Sequence, residues 1–228
     1  MHLNSKPSIL YFGTPVVLIS SKNENGTDNL APMSSIFWLG WRCVIGLGAS
    51  SQTVKNLMRT RQCVLNLPSV NEVSQVNKLA KTTGVNPVPL WKTSNGYRFE
   101  EHKFEIAGFT RQISETVLPP RVKECPVQME AVVEAVHGLA EGDIDMRGRI
   151  VTFELRIQNV HIEESLLMKN QINRVDPDKW KPLIMSFQHY YSLGNNVHAS
   201  ALAEISETAY NSPDRAKVIQ GQMVAISN

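Results

Sequence analysis

The chain has only three cysteines in 228 residues, Cys43, Cys63 and Cys125, and no two of them form a C-x-x-C pair. That excludes a disulfide-stapled secreted scaffold and reads as buried, reduced thiols in a cytoplasmic protein. Long apolar runs are missing too: nothing approaches the roughly 18 consecutive apolar residues of a membrane-spanning helix. The opening MHLNSKPSILYFGTP lacks a charged stretch followed by a long apolar one, so no secretory leader is expected. With a net charge of +2 and no basic stripe interleaved with aromatics, nucleic acid is not an expected partner. The six histidines, among them His102, His137, His161, His189 and His198, never fall into H-x-x-x-H or H-E-x-x-H spacing, so no metal site is expected. A G-x-S-x-G elbow is absent and Ser34 has no histidine partner that the sequence reveals, which leaves nucleophilic hydrolysis without support. Gly46-x-Gly48 fails as a dinucleotide fingerprint, because Ser51 stands where the third small residue belongs and no long βαβ unit follows.

What is present is a succession of strands. At 228 residues and 42% hydrophobic content the chain suits one domain whose core needs no staples. Thr14–Ser20 is β-branched and apolar, and Asn25-Gly26, within the polar Lys22–Asp28, is the strongest hairpin signal, returning the chain into Asn29–Phe37. Val44–Ala49 and Gln62–Leu67 read as further strands, with a two-turn helix over Thr53–Arg59 between them. A second helix is expected over Val70–Ala80, capped by Asn71, with Lys78 and Lys81 at its end read first as complements to the helix dipole and otherwise as contacts to a phosphate or a nicotinamide cofactor. Thr82–Gly96 reads as a loop in which Trp91 is either a cover over a ligand or a packed anchor. Residues 97–126 show little helical period and read as extended, stiffened by Pro119, Pro120 and Pro126. In Val127–His137 the residues Val127, Met129, Ala131 and Val133 share one face and Gln128, Glu130 and Glu134 the other, which suits a half-buried strand paired with Arg149–Ile162. Short helices are expected at Glu163–Leu167, after Asp176-Pro177-Asp178, and over Ala199–Ala209. His189, Tyr190 and Tyr191 are candidate ring or substrate contacts.

Chemistry concentrates between Asn29 and Asn66. Asn29-Leu30-Ala31-Pro32-Met33-Ser34-Ser35 brings small and hydroxyl residues to a strand mouth, and Pro32 removes a donor there. The slim strand ending in Gly46-Leu47-Gly48 lets another segment or a ligand approach its backbone. Ser50 and Ser51 then stand where a helix N-cap belongs, and a helix start presents free N–H groups and a positive dipole end that suit a phosphate. Lys55, Arg59 and Arg61 add positive charge nearby. A flat ring with a phosphate tail would fit both ends of this stretch.

The order of Pro15-Val16-Val17-Leu18, Asn29-x-Ala31-Pro32-x-Ser34, Ser50-Ser51-x-Thr53-x-x-Asn56 and Val64-Leu65-Asn66-Leu67-Pro68 resembles the flavin reductase-like family of FMN-binding split barrels. Downstream, Phe104–Thr110, Pro119–Glu130, Val160-His161-Ile162 and Tyr191-Ser192-Leu193-Gly194 are similar to that family's second half and closing motifs. The resemblance implies a mainly β fold with peripheral helices, a split β-barrel of the Greek-key, FMN-binding type, over residues 1–195, assembled as a homodimer. Residues 196–228 match no family motif and form a C-terminal extension that would wrap a neighbouring subunit. Carried over position by position, Met33, Ser34 and Ser35 meet the ring edge and Ser50, Ser51, Gln52, Thr53 and Asn56 the phosphate end, with Asn29 and Ala31 as further cofactor-binding residues. The chain departs from the family pattern in placing Ser50-Ser51-Gln52 where many relatives have a basic residue.

The implied cofactor is FMN, and the implied activity is that of an NAD(P)H:flavin oxidoreductase, with NADPH or NADH as hydride donor. Flavin and nicotinamide are its small-molecule partners, with a monooxygenase or other redox protein as consumer. The alternative is an FMN-binding electron carrier without its own NAD(P)H reaction. A barrel that has lost its cofactor and serves as an interaction domain is a third reading, against which the presence of Ser34, Ser50 and Thr53 argues.

Overall fold

The computed structural model describes residues 1–226. Its centre is a seven-stranded antiparallel sheet built from β1 (Val17–Lys22), β2 (Asp28–Met33), β3 (Ile36–Leu39), β4 (Arg42–Gly48), β5 (Gln62–Leu67), β6 (Val127–Gly138) and β7 (Ile150–Ile162). The strands run in the order β2-β1-β5-β6-β7-β4-β3, and the sheet curls without closing, as a split barrel does. Helices α1 (Gln52–Thr60), α2 (Val73–Leu79), α3 (Leu90–Thr93), α4 (Lys103–Ala107) and α5 (Pro213–Ile226) lie at its periphery. None is long and apolar enough to cross a membrane.

The unbroken apolar run at β1 has a physical reason: this strand is covered on both faces. Val17 and Ile19 face the barrel interior with Ile45, Leu65, Phe153 and Leu155. Leu18 and Leu30 face outward, where Val76 and Leu79 of α2 and Phe104 and Ala107 of α4 close a second core. Cys43, Cys63 and Cys125 are buried free thiols, and burial pushes all three above the ordinary thiol range. The hairpin between β1 and β2 turns at Asn25-Gly26, with Gly26 at φ +81° and the Asn25 Oδ1 accepting from Thr27 N at 3.1 Å. Helix α1 begins at Ser51, whose Oγ accepts from Val54 N at 3.2 Å, and turns Val54 and Leu57 inward while Lys55, Met58 and Arg59 stay exposed.

Several expectations need correction. The helix expected over Val70–Ala80 is a 3-10 turn, Val70–Glu72, running into α2, and its cap is Ser69 rather than Asn71. Ser69 and Glu72 form a reciprocal capping box, with Ser69 N donating to Glu72 Oε2 at 2.7 Å, so the S-x-x-E pattern outcompetes the neighbouring Asn. Glu163–Leu167 holds only a 3-10 turn, Glu164–Leu166; Asp176–Asp178 is a turn with no helix after it; Ala199–Ala209 holds two 3-10 turns, Ala201–Glu204 and Glu207–Tyr210. The stretch 97–126 is not extended throughout, since α4 forms within it and stops at Gly108, φ +78°. On β6 the expected alternation breaks at two bulges, between Glu130 and Ala131 and between Val133 and Ala135. The side expected to be solvated is partly covered: Gln128 is buried and Glu130 has no exposed surface, because the segment before β6 folds back over them.

Helix α5 lies beside β7, and Asp214 pairs with Arg42 of β4 at 2.9 Å while Arg42 also meets Glu154 of β7.

Candidate functional site

The end of β4, the start of α1 and the middle of β2 meet the loop after α2 around a cavity of about 180 Å³. Asn29, Ala31, Pro32 and Met33 line one wall; Ser51, Gln52 and Thr53 line the second. The third comes from Thr82, Thr83 and Gly84, and the floor from the side chains of Lys92 and Lys103. The backbone N–H groups of Gln52 and Thr53 have no acceptor among the described residues, so they remain available at the helix start.

Lys103 is the feature that sets the electrostatics. Its residue is only 3% exposed, and the single acceptor it finds among the described residues is Asn29 Oδ1 at 3.0 Å. Burial, with the charge of Lys92 adding to it and Glu100 partly opposing, pushes the ammonium down to about 8. Burial also lowers Lys92, whose Nζ donates to Thr83 Oγ1 at 3.4 Å and lies 5.4 Å from the Trp91 ring centre and 5.7 Å from that of Tyr97. Two partly desolvated cations facing one small cavity are costly unless an anion joins them.

Asn29 holds this arrangement. Its Nδ2 donates to Thr53 Oγ1 at 3.2 Å, which leaves the Thr53 hydroxyl hydrogen free to point into the cavity, and its Oδ1 receives Lys103. Behind it, Asn56 Nδ2 donates to Ser21 Oγ at 3.0 Å and to Asn23 Oδ1 at 2.9 Å, while Gln52 Nε2 donates to Asn56 Oδ1 at 3.0 Å.

Of the ten residues singled out from the sequence, Asn29, Ala31, Met33, Ser51, Gln52 and Thr53 come together on the cavity wall. Asn56 is buried behind it, bracing α1 against the hairpin. Ser50 is exposed at the rim, and Ser34 and Ser35 are half-buried between β2 and β3, where Ser35 O accepts from Gly46 N at 2.9 Å. The cations Lys55, Arg59 and Arg61 are not cavity residues; Arg59 donates to Lys22 O and Arg61 to Glu134 O. Trp91 is 59% exposed and does not line the cavity, and neither do His189, Tyr190 and Tyr191.

Lys103, Lys92, Gly84 and the Thr82–Thr83 pair were missed. The signal for Lys103 was its setting in His102-Lys103-Phe104-Glu105-Ile106-Ala107-Gly108: Phe104 and Ala107 at i, i+3 with a glycine after them mark a short helix that buries one face. The basic charge absent from Ser50-Ser51-Gln52 thus arrives from another part of the chain.

Residues 9–194 match the family model described as the flavin reductase like domain. The chain belongs to the flavin reductase-like family. An uncharacterized protein of Bacillus subtilis (strain 168), YdfE, is 37% identical over 192 residues, which is 84% of this chain and 89% of that protein. In fold, the chain is similar to the flavoredoxin of Desulfovibrio vulgaris (Miyazaki F), with a TM-score of 0.70 at 19% identity over 90% of this chain and 100% of that one. It is also similar to nitrilotriacetate monooxygenase component B from Bacillus cereus, with a TM-score of 0.66 at 22% identity over 84% and 89% of the two chains. Membership of the family supports a flavin-binding redox role.

Within the family frame Gly84 becomes testable. A Cβ placed there would lie 2.9 Å from Asn29 Oδ1 and 3.1 Å from Gln52 Cβ. Gly84→Ala therefore displaces the Asn29 amide from Lys103 and narrows the cavity. We expect flavin affinity to fall about tenfold or more and stability to drop by about 1–3 kcal/mol, read by flavin fluorescence quenching and thermal melting.

Proposed function

We propose that the cavity receives the phosphate and ribityl end of FMN and that the protein passes hydride from NADPH or NADH to flavin. The observation that carries this reading is the Lys103 ammonium, buried with one neutral acceptor and facing the free N–H groups at the start of α1. Residues and group fit: a phosphate dianion satisfies Lys103 and Lys92 together, and the α1 N-terminus adds its dipole and its two N–H donors. At about 180 Å³ the cavity has room for the tail alone, so the ring would lie outside it, past Ala31 and Met33 of the cavity wall and toward Ser34 and Ser35. FMN supplies the hydride acceptor; the chain supplies orientation and charge complementarity. Trp91 does not close the mouth, which leaves a face open to a nicotinamide and favours the reductase over a closed carrier. A homodimer, and a monooxygenase or other redox protein as consumer of reduced flavin, complete the reading.

The experiment is a visible spectrum of the purified protein with added FMN, followed by anaerobic NADPH or NADH. Bleaching of the bound-flavin band by near-stoichiometric nucleotide is the expected result. A bound flavin that neither nucleotide reduces would replace the reductase with the electron carrier, and absence of flavin binding would remove both.

A further inference from the structure

Beside the cofactor cavity, and sharing Ala80 with it, lies a second depression of about 410 Å³ lined by Asn77, Lys78, Lys81, Arg98 and Ile106. Its charge is of one sign. Lys78 is in the last turn of α2 and Lys81 follows its C-cap Ala80, and both line the depression, like charges gathered at a small cost. Arg98 comes from a different element and is locked next to them: Arg98 N donates to Lys81 O at 3.1 Å, and Thr82 pairs with Arg98 in a short parallel bridge. The Lys81 ammonium is drawn over the Gly96 turn, where a Cβ would lie 3.6 Å from its Nζ. None of the three forms a salt bridge or a side-chain hydrogen bond among the described residues, and no carboxylate lines the depression. The helix dipole accounts for Lys78 and Lys81, but not for Arg98, nor for all three converging on one concavity.

We propose that Lys78, Lys81 and Arg98 form a phosphomonoester site that takes the 2′-phosphate of NADPH and makes the protein prefer it to NADH. This rests on the hydride-transfer reading above. A dinucleotide with its nicotinamide at the open mouth has its adenosine end outside the cofactor cavity, and the only other anionic group that separates the two donors is that 2′-phosphate. Three cations, one of them a guanidinium able to engage two phosphate oxygens at once, match a dianion where a lone lysine would not.

The test uses FMN-loaded protein and calorimetric titration with adenosine 2′,5′-bisphosphate, 5′-AMP and inorganic phosphate, in the wild type and in a Lys81→Ala, Arg98→Ala double variant. Both substitutions are on exposed side chains outside the cofactor cavity. We expect the bisphosphate to bind about tenfold or more tightly than 5′-AMP, and the double variant to erase that difference. NADPH should likewise exceed NADH in kcat/KM for flavin reduction in the wild type, and the double variant should lower the NADPH value alone. Equal binding of the two nucleotides, an unchanged preference in the double variant, or inorganic phosphate binding as tightly as the bisphosphate would each overturn the site. If the bisphosphate binds selectively but NADPH leaves the flavin oxidised, the hydride-transfer reading fails and the site stands. If NADPH reduces the flavin without any selectivity for the 2′-phosphate, the site fails and the reductase stands.

Discussion

Lys103→Met is expected to weaken FMN binding by on the order of 30- to 100-fold, the worth of a charge-assisted hydrogen bond to phosphate, while riboflavin affinity changes by less than about threefold. Riboflavin lacks the phosphate, so the comparison separates a lost ion pair from a collapsed cavity. Methionine keeps most of the stem volume beside Phe104 and removes the charge, which is the costly part of the burial. The melting temperature of the flavin-free protein should therefore hold or rise. A parallel loss of riboflavin affinity would mean that Lys103 supports the cavity wall without meeting the phosphate.

The same residue predicts a pH dependence with a definite sign. Burial holds the Lys103 ammonium at about 8, below the roughly 10.4 of an unfolded chain. Between those values the unfolded chain binds more protons, so flavin-free stability contributed by this group rises with pH across that window; below it both states are charged and the full cost of burial is present. Phosphate binding favours the charged form. FMN affinity should accordingly fall as pH rises from about 7 to about 9, and the fall should shrink in Lys103→Met, where Lys92 is the cation left to titrate in the cavity.

Strands β5, β6 and β7 were legible from their apolar pattern and fall within a residue or so of the ranges read from sequence, and Asn25-Gly26 marks its turn. The single strand read over Asn29–Phe37, in contrast, is two, β2 and β3, parted at Ser34-Ser35 and lying at opposite edges of the sheet. Half of the cavity lining was legible for a similar reason: Asn29 to Met33 and Ser51 to Thr53 are local motifs, each with its own backbone logic. The cations were not, because nothing near Ser51 in sequence points to Lys103, 50 or so positions on, and a lysine carries no sign that it will be buried. The polar side of β6 failed differently. Gln128 and Glu130 alternate as solvent-facing residues should, and only the tertiary path of residues 113–122 covers them.

That cover makes Glu130 the second large effect. Its carboxylate accepts from the backbone N–H groups of Glu115 (2.9 Å) and Thr116, from Thr116 Oγ1 at 2.6 Å and from His161 Nε2 at 2.9 Å, with Arg121 Nε at 3.7 Å. Burial works to raise this carboxyl, but the Thr116 hydroxyl, the two amides and His161 together hold it below the usual carboxylate range. Arg121, itself buried, donates to Ile113 O and to Gln128 Oε1, so Glu130 is the charge partner of a guanidinium that cannot reach bulk water. Glu130→Ala strands that guanidinium and two amide donors and should cost about 3–5 kcal/mol, on the order of 10 °C in melting temperature. Because the native carboxyl is depressed, its contribution is present above the unfolded value near 4.3 and disappears as pH falls through the native one. The stability gap between wild type and Glu130→Ala, measured by urea unfolding, should therefore be widest near neutrality and close as the pH drops below about 4. Flavin affinity of the folded fraction should be unchanged, since Glu130 lies outside the cavity. A gap that stayed constant down to acid pH would show that the cost comes from lost packing and not from the buried carboxylate.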